Sequence, residues 1–506
     1  LADRRVQTVR RVATTLAGLN AVAATVMLVL TMQSGPIHFV SQLTLPFSIY
    51  LTGTSALMLM LVASVGWVIC RFSVRYLDGE QHQGRYFRWT TFTIGAVSLV
   101  VVTGNLAVLI AALLLTSLGL HQLLVHYTDR PAATRPAAIK FVFSRLGDLC
   151  LLCAAVALFR EFGTLEIPEL LSAVAASSTS SVVSNPAIAA AGWLIVFCAI
   201  FKSAQFPFHT WLPETMEAPT PVSALMHAGI VNAGGYLLIR LAPIVSLTPA
   251  ALWFVAGLGA FTALLAALVM LSQTSVKRRL AWSTIAQMGF MMLQCGLGAF
   301  SAAMLHIIAH SLYKAHAFLG SGSVIAERKA TAMVAASPVS NRVRYVAFAA
   351  AAITTAGLWI GLTTAAGMTA ESKPGALVLG FVMCLSLAHW MWRLLQNGRR
   401  FALPAVAIST GLISAYLLLF AAVDFVVAPD LINVLPAATT TGFMIALAFG
   451  FAALFIAENL AARPQDSSMV ASPSPNKRWL EGLYVHSSNG FYIDAFWKSA
   501  AKSFSS

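Results

Sequence analysis

A chain of 506 residues that is 58% hydrophobic and 10% charged, with a mean hydropathy of +0.79, carries well under half the roughly 25% charge of a soluble domain, which excludes a soluble globular protein. Its formal net charge of +14 comes from basic residues scattered singly among apolar runs, with no basic domain and no aromatic-basic surface. That spread excludes nucleic acid as a partner and points to membrane topology.

At about 20 apolar residues per span, the sequence predicts an all-α polytopic membrane protein of roughly fourteen transmembrane helices, at 12–32, 46–70, 88–104, 105–126, 139–160, 187–208, 221–242, 250–272, 276–296, 300–325, 343–366, 374–396, 402–427 and 437–461. The first residues, LADRRVQTVRR, are basic but run into a span with no small-residue cleavage site, unlike a secretory signal. The expectation is an internal start with an earlier hydrophobic span before it. One side of the membrane collects Arg4, Arg5, Arg10 and Arg11, then Arg71, Arg75, Arg85 and Arg88, then Arg130, Arg135 and Lys140. The same side collects Lys277, Arg278 and Arg279, then Arg328, Lys329 and Arg342, then Arg393, Arg399 and Arg400, and finally Arg463, Lys477 and Arg478. The other side has Arg160, Arg240 and Lys373 as its main basic residues. Positive charge stays inside, so both ends of the numbered chain are expected in the cytoplasm, with the protein in the cell (inner) membrane.

Three stretches depart from the alternation of span and loop. Residues 161–186 combine the apolar pattern TLEIPELLSAVAA with the serine-rich run SSTSSVVSN, which predicts a short surface helix and a flexible external loop. The loop 209–220 lies on the side of the basic loops yet holds His209, Glu214 and Glu217 and no Lys or Arg. It reads either as a collector of protons or cations or as acidic capping of a helix N-terminus. Residues 462–477 are a Pro/Ser linker, and RWLEGLYVHSSNGFYIDAFWKSAAKSF after it is too polar to span, so it should lie along the membrane or against a partner. The organisation is a transmembrane domain, 1–461, and a polar linker with an amphipathic cytoplasmic tail, 462–506.

Chemistry is concentrated in ionisable groups at membrane depth. Lys202 lies inside an apolar segment, and such a group costs roughly 2.5–3.5 kcal/mol on insertion scales, which makes it a functional-site hypothesis unless its stem snorkels to a helix end. Pro207 removes a backbone donor just beyond it and predicts a broken helix whose carbonyls face protein or water. His227 follows in the next span. In LHIIAHSLYKAHAFLGSGSVI, His306, His310 and Lys314 recur every four residues and share one helix face, while His316 points elsewhere. That face suits a proton relay, interhelical hydrogen bonding, or two ligands of a metal site that lacks a third. Arg145 and Asp148 are three apart and can pair within one helix. In KRRLAWSTIAQMG, Ser283, Thr284 and Gln287 are of the types that bond between spans, while His389, Asp424 and Glu458 are isolated polar groups. Cys70, Cys150, Cys153, Cys198, Cys295 and Cys384 lie in apolar runs and read as small buried hydrophobes, although Cys150 and Cys153 share a face on which two ligands are conceivable. No nucleotide-binding glycine loop, haem, iron–sulfur or nucleophile-and-base pattern is present, so neither an ATP-driven nor a redox role, nor a catalytic residue, is expected in this chain.

The runs KSAQFPFHTWLPETMEAPTPVSALMHAG, RRLAWSTIAQMGF and HIIAHSLYKAHAFLGSGSVI resemble the strongest motifs of the antiporter-like proton-translocating subunits: subunit L of NADH:quinone oxidoreductase and the Mrp cation/proton antiporters. LYVHSSNGFYIDAFW is similar to the subunit L tail. The resemblance implies inverted repeats, two discontinuous helices and a central polar axis. It also implies that Lys202, His227, His306, His310, Lys314 and Asp148 occupy proton-path positions. Two features depart from that family: LIAALLLTSLGLHQLLVHY has no membrane acid to pair with the broken-helix lysine, Leu115 standing near its place, and GLTTAAGMTAESKPG replaces a later lysine motif. With GWVICRFSVRYLDGEQHQGRYFRW, SLGLHQLLVHYTDRPAA and KFVFSRLGDL, these departures resemble the membrane subunits of DAB inorganic-carbon accumulation complexes. That resemblance implies a large soluble partner similar to a zinc β-carbonic anhydrase. It further implies H+ or Na+ flux through this chain driving one-way CO2 hydration to bicarbonate in the partner, which would hold the zinc, and no cofactor in this chain. The alternative is a proton-translocating subunit of a respiratory or Mrp-type complex.

Overall fold

The computed structural model describes residues 5–41, 47–176, 185–322, 341–367, 376–396, 399–432, 434, 441–461 and 475–497. The serine-rich run, the 462–474 linker, Arg328, Lys329, Lys373 and Arg463 lie outside these residues, as do the side chains of Glu458 and Trp479. The elements run α1 Val6–Ser34, β1 Ile37–Val40, β2 Ser48–Leu51, α2 Gly53–Tyr76, α3 Gln83–Val102, α4 Leu106–Leu124, α5 Pro131–Phe162 and α6 Ile167–Ala176. There follow α7 Pro186–Lys202, α8 Trp211–Glu214, α9 Thr220–Ala228, α10 Ala233–Arg240, α11 Ala242–Val245, α12 Pro249–Ser272, α13 Val276–Gly296 and α14 Phe300–Leu319. The last elements are α15 Asn341–Ala365, α16 Ala376–Gln396, α17 Ala402–Val427, α18 Thr441–Ala461 and α19 Pro475–Ser488. Each predicted window contains helix among its described residues, and of the described helices 8 are long and apolar enough to cross a membrane, against the roughly fourteen windows expected.

Helix packing in this bundle uses small residues, as expected where lipid offers apolar contact as good as any side chain. Ala13, Ala17, Ala21 and Ala24 form the buried stripe of α1, which packs on α2, while Val12, Leu16, Leu19 and Val22 are exposed. The α12–α13 pair is closer still. A Cβ on Gly259 would stand 2.6 Å from the Gly289 carbonyl oxygen, and one on Gly296 would stand 2.5 Å from the Ala256 nitrogen.

Two expectations need correction. The 46–70 window is helical only from Gly53; before it β1 and β2 pair antiparallel, with Ile37 opposite Leu51 and Val40 opposite Ser48. Hydropathy cannot separate a short β-hairpin from the start of a span. Thr52 then begins α2, its hydroxyl accepting from Ser55 N–H while Ser55 Oγ accepts from Thr52 N–H, a capping box. The second correction concerns Lys140, read above as a loop anchor. Pro131 occupies a first-turn position of α5, where proline costs no hydrogen bond. The helix therefore starts eight residues before the predicted span and carries Lys140 into the bundle, 6% exposed.

Arg240 joins the hairpin end together. Its guanidinium donates to the carbonyls of Val101 (2.5 Å) and Thr103 (2.5 Å), to Tyr50 O (3.2 Å) and to the Tyr236 hydroxyl (2.6 Å). The short helix predicted in 161–186 is α6, and Glu166 just before it accepts from Asn105 Nδ2 at 2.7 Å. At the opposite end the tail lies on the bundle: α19 packs on α12, Gln273 Nε2 donates to Ser488 O at 3.2 Å, and Trp497 Nε1 donates to Pro207 O at 3.0 Å. The cysteine expectation holds for Cys70, Cys198 and Cys295, which are buried, and fails for Cys153, which is exposed on α5.

Candidate functional site

Two consecutive chain breaks create the site. Helix α7 stops at Lys202, and the chain crosses 203–210 without regular helix before α8; the next span breaks between α9 and α10, where Ile230–Asn232 is a 3-10 turn. Ser203 ties the two together, its hydroxyl donating to Val231 O (2.7 Å) and accepting from Gly234 N–H (3.1 Å). Asn232 Nδ2 donates to Ala228 O (3.0 Å) and to Ser311 Oγ of α14 (3.0 Å). The freed carbonyls thus face protein, as a break at membrane depth requires.

The first cluster gathers around Asp148. Gly147, where a Cβ would come within 3.3 Å of Phe201 Cβ and 3.4 Å of Lys202 Cε, lets α5 and α7 cross closely. That crossing brings Lys202 Nζ to 2.5 Å from Asp148 Oδ1 and 3.1 Å from Ser144 Oγ. Arg145 Nη2 lies 2.9 Å from Asp148 Oδ2. The predicted Arg145–Asp148 pair is present, and the same carboxylate also receives the broken-helix lysine, which the sequence left without an acid. Both side chains of the Lys202–Asp148 pair are under 10% exposed. Losing the carboxylate leaves both cations uncompensated, at a typical cost of about 3–5 kcal/mol, whereas losing Lys202 leaves Asp148 paired with Arg145.

The second cluster has no carboxylate. His227, 0% exposed, stacks on Phe318 with ring centroids 4.3 Å apart, and its Nδ1 lies 3.0 Å from Thr284 Oγ1. Thr284 donates to Leu280 O at 3.0 Å, and Lys314 Nζ donates to the same carbonyl at 2.9 Å. His310 Nε2 is 3.0 Å from His227 O and Nδ1 is 2.5 Å from Gln287 Oε1. A neutral imidazole has one N–H, so both acceptors are satisfied when the ring carries two protons or when the Gln287 amide turns to donate. His306 stacks on His310 with ring centroids 6.0 Å apart and meets Phe290 at a tilt, 5.7 Å away. His306, His310 and Lys314 thus share the predicted face, His316 is exposed, and Thr284 and Gln287 bond between spans as expected. Among the described residues no group of three or more His, Cys, Asp and Glu side chains has metal-holding geometry.

The acidic loop is not an open collector. Glu214 pairs with Arg278 and Glu217 with Arg130 at 2.7 Å, so arginines from neighbouring elements neutralise both carboxylates. Glu217 in turn raises the Arg130 pKa by hydrogen bonding to its guanidinium. His209 is 1% exposed, neither ring nitrogen has a hydrogen-bond partner, and it lines a cavity of about 110 Å3 together with Glu214, Arg278, Gln273 and Asp494 of the tail. Sequence reasoning placed His209 in the acidic loop but missed Asn232 and Lys140 as site residues. An asparagine inside an apolar span was a visible signal; Lys140 was hidden by reading its surroundings as loop.

Comparison with known proteins agrees with this architecture. Residues 103–386 match the family described as NADH:quinone oxidoreductase/Mrp antiporter, TM, and residues 37–87 match NADH-Ubiquinone oxidoreductase (complex I), chain 5 N-terminus. The chain belongs to this antiporter-like family of membrane subunits. It is 38% identical over 451 residues to the probable inorganic carbon transporter subunit DabB2 of Halothiobacillus neapolitanus, covering 89% of this chain and 79% of that one. It is 44% identical over 272 residues to a probable DabB of Hydrogenovibrio crunogenus, covering 54% of this chain and 52% of that one. Within the family it stands with these DabB-type subunits. NADH-quinone oxidoreductase subunit L of Escherichia coli is 38% identical over 290 residues, 56% of this chain and 46% of that one. The solved Mrp complex of Dietzia sp. DQ12-45-1b shares the fold, with a TM-score of 0.55 and 24% identity over 97% of this chain and 56% of that one.

Proposed function

We propose that this chain conducts protons or sodium ions across the cell membrane as one subunit of an inorganic-carbon accumulation complex. The observation that carries the reading is the buried polar path: Asp148 and Lys202 at the first break, Asn232 at the second, then His227, Thr284, His310 and Lys314. Ionisable groups at membrane depth are expensive and mark ion routes, and proton transfer needs donors and acceptors within hydrogen-bond reach. The flux would energise a large soluble partner similar to a zinc-dependent β-carbonic anhydrase, seated on the cytoplasmic side with both chain ends. CO2 hydration and the zinc would belong to that partner. DabB-type names among the relatives support this reading over a respiratory or Mrp subunit.

The test is Lys202→Ala in the assembled complex, measuring inorganic-carbon uptake and proton flux per complex. Loss of a proton-transfer group typically costs on the order of a hundredfold or more, and that loss is expected with assembly intact; full uptake would overturn the reading. Identifying the protein that co-purifies separates the alternative, since quinone-reductase or Mrp subunits in place of a zinc-binding soluble chain would establish it.

A further inference from the structure

Lys140 has no part in the path as read from the sequence, yet it stands beside it. Its Nζ donates to Ser117 O at 3.2 Å and to Ser117 Oγ at 3.0 Å. Together with Lys202, Ser144, Thr116 and Trp211 it lines a cavity of about 30 Å3, room for about two waters at the 10–15 Å3 each requires. Two basic side chains, Lys140 and Lys202, line this cavity and no carboxylate does. Asp148 already holds Arg145 and Lys202, while the Lys140 ammonium hydrogen-bonds to the Ser117 carbonyl and hydroxyl. Ser117 lies on α4, the span that lacks a membrane acid; Leu115 there is 38% exposed and points away from the core.

Two ammonium groups on one small buried cavity repel strongly, because the interior screens charge far less than water. A neutral amine still has two N–H donors, enough for both Ser117 contacts, and gains a lone pair that can take a proton. We infer that Lys140 is a proton-carrying group that exchanges a proton with Lys202 through cavity water, filling the role of the missing acid with a second base. In the transfer an Nζ–H bond of the Lys140 ammonium breaks and leaves its electron pair on nitrogen. A water accepts that proton while another of its own moves to the lone pair of a neutral Lys202, so one positive charge moves and no redox partner is needed. The charged or titratable groups facing Lys140 are Lys202 of α7, Arg145 and Asp148 of its own helix, and His121 of α4, whose Nδ1 lies 3.4 Å from Ala137 O.

This inference rests on the proposed function and deepens it. The experiment places Lys140→Gln, Lys140→Arg and Lys140→His, with Lys202→Ala alongside, in the full complex in sealed vesicles, and follows proton flux with an internal pH dye across a pH series. Glutamine keeps a donor for Ser117 but cannot titrate, and arginine keeps the charge but does not release it. Both should lower flux at least tenfold with assembly intact. Histidine, with an ordinary pKa near 6.5 against about 10.4 for lysine, should restore part of the flux with its pH profile moved toward acid. Wild-type flux in the glutamine or arginine variant, a histidine variant indistinguishable from glutamine, or loss of the complex in all three overturns the inference. If Lys202→Ala conducts normally, the proposed function fails instead; if Lys202→Ala is dead while Lys140→Gln is normal, only the role of Lys140 falls.

Discussion

The two buried clusters solve the problem of charge in a membrane differently. Around Asp148 one carboxylate serves two cations, with Lys202 Nζ at 2.5 Å and Arg145 Nη2 at 2.9 Å, so the charges support one another and removing the acid orphans both. Around His227 and His310 there is no fixed opposite charge. The groups rest on backbone carbonyls and on Thr284 and Gln287, neutral partners that hydrogen-bond to a ring in either protonation state. Arg145 keeps the carboxylate of the first cluster paired whatever the charge on Lys202, whereas an imidazole chain on neutral partners can change charge within a fixed scaffold.

The largest expected effect breaks the first cluster. Asp148→Ala leaves two cations without a carboxylate and should cost about 3–5 kcal/mol, read as loss of assembled protein in the membrane, whereas His310→Ala should leave assembly near wild type. Equal assembly of the two variants would erase the contrast. Next, His306, His310 and Lys314 should act in series. His310→Ala is then expected to reduce uptake per complex as deeply as the His306→Ala, His310→Ala, Lys314→Ala triple, because residues working as a unit give non-additive losses. Additive losses at constant assembly would mean independent structural contacts. A smaller effect is expected for Thr284→Val, which removes the hydroxyl between His227 and the Leu280 carbonyl. Interhelical hydrogen bonds in membranes average about 0.6 kcal/mol, so thermal stability should barely move while flux falls, and unchanged flux would take Thr284 out of the path. The smallest is Glu214→Gln, which frees Arg278 beside the His209 cavity. Partly exposed pairs contribute at most about 1 kcal/mol, so stability should change little and the change should vanish in high salt.

Much of this was legible in the sequence because hydropathy and four-residue spacing are local. The helical windows, the break after Lys202, the shared face of His306, His310 and Lys314, and the Arg145–Asp148 pair all follow from residues within one or two turns of each other. What misled the local reading was a boundary. Pro131 and Pro136 with three basic residues look like a loop, but Pro131 sits in the first turn of α5, where proline is tolerated, and the helix runs on through Pro136, so Lys140 was counted as an anchor. The β1–β2 pair was lost because its apolar strands blend into the following span.

By itself the sequence determined an all-α membrane protein, its family and the identity of the ionisable groups at membrane depth, since burial in lipid demands long apolar helices and makes every exception conspicuous. Only the tertiary structure decided the partners. Asp148 and Lys202 are 54 residues apart, Lys140 and Ser117 are 23 apart, and His310 and His227 are 83 apart. Such contacts depend on which faces of which helices meet, and that is set by glycines such as Gly147 allowing close crossing. A periodicity confined to one helix carries no information about the neighbour that will pack against it.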